Sequence, residues 1–203
     1  MSNSEWVSLI STVIIAPLIG GGLALAGVRW AQQLQKKDAV DRDTEHMHGL
    51  LQAFKAEIET LWEVYRAAAG AHIVALGNNK PMLTYWPLTL EYFTIYNTHA
   101  ASIGKIEDHE LRKQIIATYT KARSMIDSIR MNNDLVKKWE YDQLLFEESN
   151  KPVHASNANA RLKSLIEYAT GLKESHSILE SMAADLLRSL QKNIDDYRKR
   201  LKK

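Results

Sequence analysis

The chain has 203 residues and no cysteine, which excludes a disulfide framework, a cysteine nucleophile and thiolate metal sites, and suits a reducing compartment. Its length leaves room for a short anchor and one folded domain of about 160 residues, enough to bury a real core. The formal charge of +2 hides an uneven distribution: residues 1–5 carry −1, residues 29–37 carry +3, residues 198–203 carry +5, and residues 38–197 carry −5.

The first element is a run of 23 residues without a charge, Trp6 to Val28. At about 1.5 Å per helical residue it is roughly 35 Å long, sufficient for a hydrocarbon core of about 30 Å with some tilt. This predicts a single transmembrane helix over 6–28, preceded by a short tail, 1–5. A cleaved signal peptide is the rival, and Ala24-Leu25-Ala26 supplies a small-x-small site. The only charge ahead of the run is Glu5, however, where a signal needs a positive region, and the run exceeds the usual core of about 7–15 residues. Arg29, Lys36 and Lys37 follow the span and no cation precedes it. The positive-inside rule therefore places the rest of the chain in the cytoplasm and the N-terminus outside, with these three cations at the membrane surface. Trp6 and Trp30 bracket the span, where indoles favour the two interfaces.

Within the span, Ser4, Ser8, Thr12, Ala16, Gly20 and Ala24 recur at every fourth position. Small residues along one helix face allow backbones to approach closely, so Ser8, Thr12, Ala16, Gly20 and Ala24 predict packing of spans in a homo-oligomer. Pro17, with Gly21 and Gly22, predicts a hinge in that helix.

Residues 29–46 form a charged stalk that contains neither proline nor glycine; a continuation of the membrane helix and an exposed hinge are both open. From Met47, the positions Leu51, Phe54, Ile58, Leu61, Tyr65 and Ala68 keep helical spacing, up to the breaker cluster Gly77-Asn78-Asn79-Lys80-Pro81. A second helix over Leu88–Ile103 carries Tyr92, Tyr96, His99 and Ile103. A third is predicted over Asp108–Met131 with Leu111, Ile115, Tyr119, Ala122, Ile126 and Ile129 inward, closed by a turn at Asn132-Asn133-Asp134. Leu135–Glu148 reads as a shorter helix, followed by a polar loop to Asn159. A long final helix then carries Leu162, Leu165, Ala169, Leu172, Leu179, Leu186, Leu190, Ile194, Tyr197 and Leu201. No alternating strand pattern or internal repeat is present. The predicted fold class is all-α: one transmembrane helix and a cytoplasmic bundle, residues 47–203, of about five helices with long first and last members and a basic C-terminal tail.

No phosphate loop, Gly-x-Ser-x-Gly or HExxH motif occurs, so no catalytic set is assigned and no cofactor is expected. His72, His99 and His176 lie on the apolar stripes of three helices. Imidazoles on three helices can bind a metal, but no Glu-x-x-His pair accompanies them. A buried histidine more often satisfies a hydrogen bond, so no metal is assigned.

The spacing from Arg42 to His48 in Arg-Asp-Thr-Glu-His-Met-His resembles the active motif of HEPN ribonucleases, which are all-helical bundles. That resemblance implies an alternative in which Arg42 and His48 bind and cleave an RNA backbone and two copies complete a site. No interleaved aromatic and basic surface for RNA accompanies it, so nucleic acid is not the expected partner. In layout, the uncharged span, basic stalk, Leu50-Leu51 to Ile58 helix, Tyr92, Tyr96, Ile103-Gly104-Lys105-Ile106 and Ile115-Ile116-x-x-Tyr119 resemble small bacterial single-pass membrane proteins, some associated with phage defence. The resemblance implies a bacterial inner-membrane location and an antiviral effector that permeabilises or depolarises the membrane by assembling its spans. The expected partners are the lipid bilayer and further copies of the chain; a passive scaffold for a cytoplasmic partner is the third reading.

Overall fold

The computed structural model describes the backbone of residues 16–87 and 92–202, and side chains over 28–87 and 92–202. Every regular element among them is helical: α1 Ala16–Tyr65, a π-helical turn Arg66–Gly70, α2 Ala71–Ala75, α3 Thr94–Ile103, α4 His109–Ser149 and α5 Pro152–Leu201. The all-α class and the helical bundle are thereby established. The chain divides into two units, one described over residues 16–48 and 197–202, the other spanning 49–196.

In the first unit the stalk residues 29–46 are helical and belong to α1, and residues 28–43 are all exposed. Arg42 donates from Nε to the Asp38 carbonyl at 3.1 Å, and the Thr44 hydroxyl donates to the Val40 carbonyl at 2.7 Å. Among the described residues no helix is long and apolar enough to cross a membrane. Residues 6–15 of the uncharged run, with Ser8 and Thr12, lie outside the described residues; Ala16, Pro17, Gly20, Gly21, Gly22 and Ala24 fall within the backbone of α1.

The second unit holds the core. Leu51, Phe54 and Ile58 of α1, Leu111, Ile115, Tyr119 and Ile129 of α4, and Leu165, Ala169, Leu172, Leu179, Leu186, Leu190 and Ile194 of α5 are buried. These are the positions that the three-and-four spacing selects, because one stripe of a 3.6-residue helix faces its neighbours.

The helix expected from Leu88 begins at Thr94, because Phe93 before it is left-handed, and two further boundaries differ from expectation, each for a local reason. Asn132-Asn133-Asp134 is no turn; α4 runs unbroken from His109 to Ser149. Asparagine breaks helices when its side chain bonds its own backbone, and here both amides bond a crossing chain instead. Asn132 Nδ2 donates to the Met82 carbonyl at 2.9 Å, while Asn133 accepts from the Trp86 N–H at 3.2 Å and donates to the Trp86 carbonyl at 2.6 Å. Similarly, the polar stretch to Asn159 is not a loop, since α5 begins at Pro152. Proline suits the first helical position, where its missing N–H has no intrahelical acceptor. Asn150, left-handed at φ 51°, ends α4 by donating its N–H to the Phe146 carbonyl, so two residues join 41- and 50-residue helices into an antiparallel hairpin. Asp108 caps the start of α4, its Oδ1 accepting the Leu111 N–H at 3.0 Å and its Oδ2 accepting from Asn193 Nδ2 at 3.2 Å. These bonds favour the ionised carboxylate and hold its pKa below the ordinary range.

Candidate functional site

The second unit contains an apolar cavity of about 210 Å³ between the end of α1, the crossing segment before α3, and the middles of α4 and α5. It sits where α1 stops being regular. Ala68 leaves the helical region (φ −103°, ψ −106°) inside the π-helical turn, which widens the coil and re-aims the side chains around it, as such turns commonly do at functional sites.

Gly70 sits at a close approach in this turn. A Cβ there would lie 3.2 Å from the Tyr65 carbonyl oxygen and 3.4 Å from Cε1 of His176. The space it leaves is occupied by the His176 imidazole, which stacks on Trp62 at 5.9 Å between ring centroids and lies within 2.8 Å, at Nδ1, of the Tyr65 hydroxyl. Burial, reinforced by the Glu180 charge, pushes the Tyr65 phenol above its ordinary range. The phenol and Nδ1 share one hydrogen bond, in which the imidazole tautomer sets the donor. His176 is thus a buried histidine with a satisfied hydrogen bond, which holds Trp62 and Tyr65 in the cavity wall.

The opposite side is built on Glu57. Its Oε1 accepts the Ile95 N–H at 2.6 Å, and its Oε2 accepts the Tyr96 N–H at 3.1 Å and the Tyr119 hydroxyl at 2.6 Å. A carboxylate on α1 therefore caps α3, whose own N-cap, Phe93, has no capping side chain. Phe93 is left-handed at φ 67°, ψ 43°, a conformation that costs a bulky residue about 1–2 kcal/mol. It is held there by burial, by an edge-on contact with Tyr119 at 5.4 Å, and by the cap on the two N–H groups that follow. Tyr119 is fully buried, with Tyr96 stacked on it at 4.1 Å and Phe54 edge-on at 6.2 Å. Burial, the Glu57 hydrogen bond and the Glu57 and Tyr96 charges all push its phenol up.

Both phenols titrate higher in the folded chain than the ordinary value near 10. Their contribution to stability is complete below about pH 10 and is lost as pH rises beyond it, because only the unfolded chain gains ionisation there. In an alkaline titration, Tyr65 and Tyr119 are expected to give phenolate absorbance only as the helical circular dichroism disappears. Ionisation of all eight tyrosines before helix loss would contradict this.

The remaining sequence candidates do not assemble here. His72 is exposed, with its ring edge-on to Trp86 at 5.0 Å, and His99 is half-buried in a kink of α3. Among the described residues no group of three His, Cys, Asp or Glu side chains could hold a metal ion. Arg42 is exposed and bonded to Asp38, and His48 is half-buried with its Nε2 unpartnered among the described residues. Six residues apart on one helix, at about 100° per residue, the two project about 120° apart. Glu57, Trp86, Asn132 and Asn133 are the site residues that periodicity does not select. Comparison of the chain with protein-family models, with curated proteins and with solved structures gives no match.

Proposed function

We propose that this protein is a non-enzymatic, single-pass inner-membrane protein whose copies assemble and permeabilise or depolarise the bilayer through packing of their N-terminal spans. One observation carries the reading: the 23-residue uncharged run overlaps α1 from Ala16, and on the same helix just beyond the run Trp30 is 68% exposed beside exposed Arg29, Lys36 and Lys37. An indole this open to water gains by entering a membrane interface, and the three cations suit an anionic cytoplasmic leaflet. Leu34, one turn beyond Trp30, extends the same exposed apolar ridge. In this reading the Ser8, Thr12, Ala16, Gly20 and Ala24 stripe is the contact between spans.

Gly20→Leu tests the proposal. Filling a close helix–helix contact with a branched side chain is expected to weaken self-association on the order of tenfold, read as a fall in detergent-solubilised mass and in leakage of dye from liposomes. The helical circular dichroism of the bundle should be unchanged. Wild-type mass and leakage in this variant would overturn the stripe. Recovery of the full-length chain free of membranes would overturn the anchor.

A further inference from the structure

The apolar cavity carries a feature that packing alone does not explain. Ile58, Trp62, Ala122, Met125 and Ala183 line it without presenting a charge. Trp86 lines it too, and its indole Nε1 is buried with no hydrogen-bond partner among the described residues. Buried indole N–H groups ordinarily find an acceptor, and one left without it is destabilising. The backbone of Trp86 is fixed on both sides, its N–H and carbonyl bonded to Asn133. This holds the backbone from which the indole projects in place beside the cavity. An apolar cavity of about 150 Å³ is sufficient to take up benzene, and this one is larger, at about 210 Å³.

We propose that the cavity is a binding site for a flat, uncharged, bicyclic aromatic molecule with one hydrogen-bond acceptor, which takes the Trp86 indole proton. Flatness follows from the wall, five of whose residues, Trp62, Tyr65, Trp86, Tyr92 and Phe93, are aromatic. The absence of charge follows from the lining, since a buried ion would find no counter-charge there. The acceptor follows from the indole. The site stands apart from the membrane proposal: loss of liposome leakage would leave it untouched.

Quinoline and naphthalene test it, because they share size and shape and differ in one acceptor nitrogen. With the full-length protein in detergent, quinoline is expected to bind about fivefold tighter than naphthalene and to shift one indole N–H proton resonance downfield. In Trp86→Phe that resonance is absent and the preference for quinoline disappears. Ala122→Phe fills the cavity and abolishes binding of both. Absence of binding by either compound to the wild-type protein, or binding that survives Ala122→Phe, would overturn the site. Equal affinities would overturn the acceptor assignment. Should Ala122→Phe lose its helical signal, the comparison of wild type with Trp86→Phe decides alone.

Discussion

Replacing Glu57 by alanine is expected to lower the unfolding free energy by about 2–4 kcal/mol, more than an ordinary polar substitution on a helix. The carboxylate accepts three hydrogen bonds at once, from the Ile95 and Tyr96 amides and from the Tyr119 hydroxyl, and the first two are the orphan donors of the α3 N-terminus. Removing it leaves the hydroxyl of a fully buried tyrosine without this acceptor and takes a negative charge from the positive end of the α3 dipole. It also releases the constraint on Phe93, whose left-handed backbone has no capping side chain of its own. Glu57→Gln keeps an acceptor and is expected to cost about half as much. Thermal unfolding of the full chain gives the magnitude. Amide hydrogen exchange gives the location: Ile95 and Tyr96 should lose protection before the rest of α3. Unchanged protection at those two amides would show that the cap contributes nothing.

How far the fold could be read in advance depends on whether the information is local. The stripe from Leu51 through Phe54 to Ile58, and the one from Leu165 to Ile194, are periodic, and the positions they select are the buried ones, because helical geometry links spacing to face. The Asn132-Asn133 pair shows where local reading stops. Its turn chemistry is genuine, but the amides bond Met82 and Trp86, about 50 residues away in sequence, and α4 continues. Pro152 is equally ambiguous, since proline both ends helices and begins them. Of the candidate site, Tyr119, Ala122, Ile126 and Ile129 were legible as one inward face of α4. Glu57 was not, because a carboxylate one residue before a buried isoleucine looks like a solvated position until the segment it caps is seen folding back on it. The π-helical turn leaves only a faint trace, the run Ala67-Ala68-Ala69-Gly70 of small residues that lets His176 approach.

Phe54→Ala is expected to be the most damaging single change in this region, costing about 3–5 kcal/mol. Phe54 is fully buried and packs edge-on against Tyr119, so its loss removes apolar burial, opens a void and frees the ring that presents its hydroxyl to Glu57. Because Tyr119 links the two, the effects of Phe54→Ala and Glu57→Ala should not add. Once Phe54 is gone, Tyr119 no longer holds its geometry against Glu57, and part of what Glu57→Ala removes is already lost. The double variant should therefore be more stable than the sum of the singles predicts, by about 0.5–3 kcal/mol. A core that merely surrounds an independent cap would give strict additivity. Denaturant midpoints for the four proteins of the cycle separate the two cases, provided the dependence of stability on denaturant is the same in all four. A coupling of the expected sign would mean that the α3 cap, the strained Phe93 backbone and the Phe54–Tyr119 contact form one cooperative unit, and that the cavity wall containing Phe93 is held from the core side of α1.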